Sequence, residues 1–249
     1  AEDWILVDQI NAASGEVNLT ADADLDGTDG WIMDTGAGAP NIVGGDITLT
    51  ATEQIGTLAN PLDTQTVASS IDAFTSGDNV NIVIANDTVA DTTFTGNTTG
   101  ADADIHFTQE DTSGVGSGDL DVIDTATVDG SIFITLEDGG SLTATTIAAN
   151  DPSTAAPVNG VVELTTEDGG DIVAGSIFAE NTVTIDSSAQ VYSDTGDLNI
   201  AATTVDIDAA TNVVDVMIEQ DGDNHDGVVA DGVAIDTDDG TIDGVSITA

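Results

Sequence analysis

The segment Thr135–Ile147, with the sequence TLEDGGSLTATTI, recurs thirty residues later as Thr165–Ile177, TTEDGGDIVAGSI. Both copies place a Gly-Gly turn before a run in which apolar and other residues alternate, and this alternation is typical of a strand with one buried face. The same thirty-residue step separates the strand pattern at Val17 from the pattern at Ile47. Strand and turn units that recur at one step predict successive coils of chain that stack strand upon strand.

Short alternating runs continue from one end of the chain to the other, and each predicts a half-buried strand. They are Val17–Thr20, Ile47–Thr50, Val80–Ile82, Ile105–Phe107, Leu120–Val122, Ile132–Thr135, Val162–Thr165, Val183–Ile185 and Leu198–Ile200. No convincing stretch combines a 3.6-residue period with helix caps. Fixed strand motifs with loops of variable length favour an all-β parallel β-solenoid, whereas the alternative, a β-sandwich, does not need near-identical sequence in successive strand pairs.

The repeats predict one continuous, elongated domain over residues 1–249. Pro152 and Pro157 lie in the stretch 148–160, which is flanked by matching repeats, so this stretch is predicted to be a loop that projects from the domain. The stretch 219–244 is rich in acidic residues and is predicted to lie at the surface near the C-terminal end.

The composition excludes several classes of function. The 249 residues include 47 Asp plus Glu and no Lys, Arg or Cys, for a formal net charge of −47. Nucleic acid and membranes are excluded as partners, because binding to phosphates and anionic lipid depends on Lys or Arg and because no apolar run of about 18 residues exists. The chain also lacks the Lys, Arg and Cys residues on which phosphoryl transfer, Schiff-base chemistry and thiol chemistry depend. It is therefore predicted not to be an enzyme. A glycosidase with two catalytic carboxylates is the enzyme class that the composition still permits.

Several segments resemble the repeats of filamentous-haemagglutinin-like large exoproteins, which are bacterial surface adhesins. The segments that carry the resemblance are Gly44–Ala51, Ile55–Thr57, Asn60–Thr64, Ser76–Ile82 and Gly196–Ala202. The resemblance implies a right-handed parallel β-helix, export to the cell surface or the extracellular space, and an adhesive or structural role. It implies no active site.

Two acidic segments are candidate calcium sites. Carboxylates at alternate positions followed by Gly can converge on one cation, because carboxylate oxygens are the ligands that Ca²⁺ prefers and Gly allows the sharp turn. The candidate ligands are Asp22, Asp24, Asp26 and Asp29 in the first segment, and Asp221, Asp223 and Asp226 in the second. The first segment is no EF-hand, since Met33 stands where that loop has Glu. The alternative is that both segments are acidic surface turns without a bound ion.

The ends of a solenoid expose unpaired strands, and two open ends allow copies to stack head to tail. The candidate contact residues are Trp4, Trp31, Ile242, Val245 and Ile247. The chain is therefore predicted to be a secreted structural protein that associates with itself in an extracellular filament or a biofilm or cell-surface matrix. The alternative is a binding segment of a very large adhesin, which recognises a receptor or glycan through its loops.

Overall fold

The structure is a computed structural model that describes residues 4–22, 30–36, 40–67, 69–149, 160–193, 198–202, 204–219, 232–237, 242–243 and 246–248. These residues form 26 strands and no helix, so the described part of the chain has no helical segment suited to crossing a membrane. The strands are β1 (Trp4–Val7), β2 (Ile10–Asn11), β3 (Val17–Thr20), β4 (Trp31–Asp34), β5 (Ile42–Gly44), β6 (Ile47–Ala51), β7 (Leu62–Thr66), β8 (Ser70–Thr75), β9 (Ile82–Asp87), β10 (Thr92–Ala101), β11 (Ile105–Glu110), β12 (Leu120–Val122), β13 (Thr125–Asp129), β14 (Ile132–Leu136), β15 (Leu142–Ala149), β16 (Val161–Thr166), β17 (Ile172–Ala179), β18 (Thr182–Ser187), β19 (Gln190–Tyr192), β20 (Leu198–Ala201), β21 (Thr204–Ala209), β22 (Asn212–Val214), β23 (Val216–Glu219), β24 (Gly232–Thr237), β25 (Ile242–Asp243) and β26 (Ser246–Thr248).

The strands lie in two long sheets, and all the pairings between them are parallel. Sheet A has the order β2-β5-β7-β9-β11-β14-β16-β18-β21-β24, and parallel bridges from Ile32 to Ile55 and from Ile55 to Ile82 join the pair β1-β4 to it. Sheet B has the order β25-β22-β19-β17-β15-β12-β10-β8-β6-β3, with β13, β20, β23 and β26 paired beside this path. From β5 onward the chain passes back and forth between the sheets, with one strand at a time in sheet A and one or two consecutive strands in sheet B. This all-β arrangement is consistent with a β-solenoid, whereas sandwich sheets are antiparallel.

The thirty-residue repeats stack directly on each other. Thr135 pairs with Thr165 in sheet A, and Leu142 pairs with Ile172 in sheet B, so the two copies of the EDGG unit lie in register. Val17 pairs with Ile47 in the same way. The prediction that a repeat at a constant step marks strands stacked side by side is confirmed.

One unbroken row of paired residues runs along the stack from β1 to β24, and its members from Ile5 to Val205 face inward. We call it the isoleucine column, and its ten members in order are Ile5, Ile32, Ile55, Ile82, Ile105, Ile132, Val162, Val183, Val205 and Val233. The eight members from Ile32 to Val205 are at most 1% exposed. Every position holds a β-branched residue, which packs well on a pleated surface. Burial of each such side chain contributes about 1.5–3 kcal/mol.

The two sheets pack against each other through one core. Phe94 of sheet B and Phe107 of sheet A are both buried, and their ring centroids lie 4.1 Å apart. The buried apolar residues of both sheets belong to a single cluster. Most of the described charged residues therefore lie on the outer faces and in the turns; Asp34 of β4 is buried and accepts a hydrogen bond from Nδ2 of Asn41 at 2.6 Å.

The EDGG units form the turns that lead from sheet A to sheet B. Asp138 and Asp168 have positive φ angles of 63° and 56°, which Asp tolerates better than most residues. Gly140 has a φ of 88°, and a Cβ atom there would lie 2.7 Å from the carbonyl oxygen of Gly118 in the neighbouring coil. Stacked turns therefore approach closely enough to require Gly.

A polar network is buried inside the stack at one end of sheet A. The Oδ1 atom of Asn86 accepts hydrogen bonds from the Thr64 hydroxyl and the Thr66 amide, both at 3.1 Å. Its Nδ2 atom donates to the Thr66 hydroxyl at 3.1 Å and to Oε1 of Gln109 at 3.3 Å. Gln109 in turn donates to the carbonyl oxygen of Gly118 at 2.8 Å. Asn86 and Gln109 are fully buried, so the network satisfies groups that no water reaches.

Asn86→Leu is expected to lower the free energy of unfolding by about 2–4 kcal/mol, because it leaves several buried hydrogen-bonding groups without partners at about 1–3 kcal/mol each. The substitution nearly conserves volume, so a cavity contributes little. Urea denaturation checks the value, and the control is Asn97→Leu on the outer face of sheet B, where we expect a change below about 1 kcal/mol. Equal losses in the two variants would contradict the role given to the network.

The predicted projecting loop lies mainly outside the described residues. Strand β15 extends to Ala149, and residues 150–159 are not described. Of the acidic stretch 219–244, the structure describes Glu219 and the residues of β24 and β25.

Candidate functional site

A row of carboxylates follows the outer face of sheet A. We call it the acidic column; its members are Asp87, Glu110, Glu137 and Glu167. Asp87 and Glu110 end β9 and β11 and pair in register. The amides of Glu137 and Glu167 continue the same ladder by donating to the carbonyl oxygens of Gln109 and Leu136, at 2.8 and 2.9 Å. Since neighbouring strands lie about 4.8 Å apart, each carboxylate has another beside it.

Two members of the acidic column, Glu110 and Glu137, have raised pKa values. Burial raises the pKa of Glu110, and the charges of Glu137 and Asp87 add to the effect. Burial also raises the pKa of Glu137, with Glu167 as the main charged neighbour. Asp63, one strand away, has a pKa raised by burial and then by the charges of Asp34 and Asp87. With no Lys or Arg in the chain, the cations that could neutralise this surface must come from outside.

The raised pKa values predict that the protein is more stable at pH 5 than at pH 7. These acids lose their protons near pH 4 in the unfolded chain and at higher pH in the folded chain, so the stability they contribute is lost as the pH rises through the folded pKa values. We expect a higher melting temperature at pH 5, and a smaller difference between pH 5 and pH 7 in 1 M salt because salt screens the repulsion.

The double variant Glu110→Gln/Glu137→Gln tests where this pH dependence originates. It should raise the melting temperature at pH 7 and reduce the pH dependence, and the control Asp72→Asn/Asp121→Asn on sheet B should change both less. A pH profile that is flat in the parent protein, or that rises toward pH 7, would contradict the prediction.

The pKa of Asp111 is lowered, in contrast to the raised pKa values of Glu110, Glu137 and Asp63. The Ser113 hydroxyl and the backbone amides of Gly116, Ser113 and Val115 lower the pKa of Asp111 to about 2, against a smaller opposing effect of desolvation. The amide distances are 2.8 Å for Ser113 and Gly116 and 2.6 Å for Val115. This contribution to stability is present above the ordinary value of 3.8 and is lost as the pH falls toward 2. Asp111 therefore holds the loop after β11 in a turn.

Next to the acidic column, the outer face of sheet A carries larger side chains. His106 stacks on Phe133 with ring centroids 4.5 Å apart and planes 8° from parallel. Ile105 and Phe107 are buried on either side, so His106 faces away from the core. Burial lowers the pKa of His106, and Asp104 opposes the shift. His106 is a neutral packing residue of the surface in this arrangement.

The two tryptophans form a stacked pair at the N-terminal edge of sheet A. Trp4 of β1 pairs with Trp31 of β4, and their rings lie 5.0 Å apart with an angle of 3° between the planes. Trp4 is 47% exposed and Leu6, two residues on, is 61% exposed. The pair thus presents one indole face and an apolar neighbour at the end of the stack.

The predicted contact residues at the other end are placed in part. Ile242 lies on β25 and is 49% exposed, and Ile247 lies on β26. Val245 lies outside the described residues. Among the strands that the structure describes, β1, β2, β3, β24, β25 and β26 have no strand on their outer side. Trp4, Ile242 and Ile247 therefore lie on strands without a described outer neighbour, whereas Trp31 lies one strand further in, on β4 between β1 and Ile55.

Most of the predicted calcium ligands lie outside the described residues, namely Asp24, Asp26, Asp29, Asp221, Asp223 and Asp226. Asp22 is described: it is 1% exposed and has a φ of 58°. A Cβ atom on Gly30 would lie 2.6 Å from the Cβ of Asp22, so these two residues lie close together. Within the ranges given above, no three acidic or His side chains gather in a group that could hold a metal ion.

Comparisons with protein-family models, with curated proteins and with solved structures found no match to this chain. The functional assignment therefore depends on the geometry of the stack, its open edges and its charges.

Proposed function

We propose that this chain is a structural protein, a closed right-handed β-solenoid that serves as a protomer of an extracellular filament or of a biofilm or cell-surface matrix. The isoleucine column is the observation that supports this role most strongly. It extends in register from β1 to β24 without a break, so one backbone row is shared by every coil between these strands. A further coil of the same kind can be added at either edge with parallel pairing.

The charge distribution supports end-to-end association over side-by-side association. Two carboxylates about 5 Å apart repel by roughly 3 kcal/mol near a protein surface, and the acidic column offers four of them in a row. Neither copy contains Lys or Arg to relieve that repulsion between sides. Calcium or other cations from the medium would relieve it, with the two acidic segments as the proposed binding regions. An extracellular location, as in the surface adhesins that the repeats resemble, supplies such cations.

Electron microscopy of the purified protein, with and without calcium, tests the proposal. We expect unbranched filaments about as wide as one solenoid, whose length increases with protein concentration. Uniform monomers at high concentration in both conditions would overturn it. Analytical ultracentrifugation on the same samples distinguishes short oligomers from monomers.

A groove on one edge of sheet A favours a second candidate function, that of a binding segment of a very large adhesin. The groove has a volume of about 440 Å³ and is lined by exposed Val67 and Val89 together with Asp87 and Asp111. The two exposed valines offer apolar contact, and the hydroxyl and carboxylate groups around them could hydrogen-bond to a polar ligand such as a sugar. Binding to a glycan array or to a receptor tests this function. Binding that Val89→Asp abolishes, together with a protein that stays monomeric, would favour the adhesin segment over the filament.

A further inference from the structure

Apolar side chains are exposed on successive turns beside the acidic column. The groove of about 440 Å³ described above spans the turns that follow β7, β9 and β11. Val67 lies on the first of these turns and Val89 on the second, and they are 46% and 55% exposed. Since each turn lies about 4.8 Å from the next, the groove extends for roughly 10 Å along the axis of the stack.

Hydrogen bonds within and between the coils fix the shape of this groove. The Thr88 hydroxyl donates to the carbonyl oxygen of Thr66 at 2.9 Å and accepts a hydrogen bond from the Ala90 amide at 3.0 Å. The Thr112 amide donates to Oδ1 of Asp87 at 3.1 Å. Because the turns are held in place, a ligand that covers the two valines loses little binding free energy to ordering them.

Carboxylates form the other side of the groove. Asp87 lines it two residues before Val89, and Glu110 pairs with Asp87 in the next strand. Burial raises the pKa of Glu110, and the charges of Glu137 and Asp87 raise it further. The chain contains no Lys or Arg, so no cationic side chain of its own compensates these charges. An apolar row and an acidic row therefore run side by side along the axis.

These two rows favour one kind of ligand. The acidic column repels an anionic ligand, and it repels a second copy of this chain that approaches from the same side. A neutral sugar leaves the charges uncompensated. A basic amphipathic helix carries an apolar stripe beside a cationic one, and its rise of about 5.4 Å per turn is close to the spacing of about 4.8 Å between coils.

We propose that the groove binds a basic amphipathic helix of a partner protein. The apolar residues of that helix contact the two valines, and its Lys or Arg residues face Asp87 and Glu110. The proposal rests on the second candidate function, for which it names the class of ligand, and it does not depend on filament formation.

A designed peptide tests the proposal. The probe is a labelled peptide of about 14 Leu and Lys residues with all its Leu on one helical face, and the control peptide has the same composition in an order that leaves no face apolar. Fluorescence anisotropy measures the binding of both peptides to the full chain. We expect the amphipathic peptide to bind roughly tenfold more tightly than the control peptide, and to bind more weakly in 1 M salt because salt screens the charges.

Substitutions in the groove separate the apolar contact from the charge. Val89→Ser should weaken binding of the amphipathic peptide by roughly tenfold, because it removes the apolar contact. The control Leu58→Ser changes a side chain that is 66% exposed and lies outside the groove, and it should have no effect. Asp87→Asn should weaken binding by roughly threefold, and Asp206→Asn, on the outer face of sheet A but away from the groove, should weaken it less.

The outcomes distinguish this proposal from the function on which it rests. Equal binding by Val89→Ser and Leu58→Ser, or equal binding of the two peptides, would show association through net charge alone and overturn the proposal. Neutral oligosaccharides that bind in place of the peptide, and that Val89→Ser no longer binds, would overturn the basic helix and leave the groove as a binding site. Binding of neither ligand would overturn both. Circular dichroism shows that the variants fold.

Discussion

Ile132→Asp is expected to unfold the protein or to lower its free energy of unfolding by more than about 4 kcal/mol. Ile132 is fully buried in the middle of the isoleucine column, between Ile105 and Val162. An aspartate there has no partner, because the chain contains no Lys or Arg, and an unpaired buried charge costs about 3–5 kcal/mol in addition to the lost apolar burial. Typical domains have a total stability of about 5–15 kcal/mol, so the loss is a large part of it.

The matched control for this variant is Thr135→Asp in the same strand. Thr135 points to the outer face of sheet A between Thr108 and Thr165, so its carboxylate stays in water and should cost at most about 1 kcal/mol. Thermal unfolding followed by circular dichroism measures both variants. Similar melting temperatures for the two variants would show that the column does not lie in a dry core.

Gly56→Ala is expected to lower the free energy of unfolding by more than about 3 kcal/mol. Gly56 has a φ of 65°, and a Cβ atom on it would overlap the carbonyl oxygen of Val83 in the neighbouring coil. That oxygen belongs to the backbone of sheet A, so relief requires a strand to move and not merely a side chain to rotate. The left-handed backbone conformation adds about 1 kcal/mol for a residue with a Cβ.

Gly114→Ala separates the steric part of this effect from the conformational part. Gly114 has a φ of 74°, and a Cβ atom there would meet no atom within 4 Å. The variant should therefore lose only about 1 kcal/mol, for the backbone conformation alone. Chemical denaturation gives both values. A loss at Gly56 no larger than the loss at Gly114 would contradict the close stacking of coils at this point.

The fold class and part of the register could be predicted from the sequence because both depend on local patterns. Alternating runs such as Ile132–Thr135 lie in strands, and the thirty-residue repeats give the pairing of β14 with β16 and of β15 with β17. Residues that occupy equal places in a stacked coil face similar surroundings, so selection keeps them alike in sequence. The pairing can therefore be inferred where two copies have the same length.

Other strands have no clear apolar alternation, and the sequence alone does not reveal them. Strand β7, Leu62–Thr66, turns Thr64 and Thr66 inward, and both are at most 2% exposed. These hydroxyl groups are buried because Asn86 in the next strand hydrogen-bonds to them. A buried polar column depends on partners twenty or more residues away, which no local pattern contains.

The acidic column was missed for a related reason. Glu137 and Glu167 occupy the same place in the two EDGG copies, and this could have suggested a pair of adjacent carboxylates. Asp87 and Glu110 stand in sequences without that motif, and their alignment depends on the pairing of β9 with β11. Predicting the column requires the register of four strands. The register cannot be read from a constant step because the coils differ in length: paired residues Val162 and Val183 are 21 residues apart, whereas Ile132 and Val162 are 30 apart.

In this fold the chain stacks in parallel and in register, coil upon coil, along one axis. Pulsed electron paramagnetic resonance tests this stacking with pairs of spin labels on one outward row of sheet A. In each pair one label is at Asp63, and the other is at Thr165, Asp186 or Asp208. We expect narrow distance distributions centred near 19, 24 and 29 Å for the three pairs in that order, because the distance increases by about 4.8 Å for each added strand. Distances that fail to increase in this order, or that are broadly distributed, would contradict it.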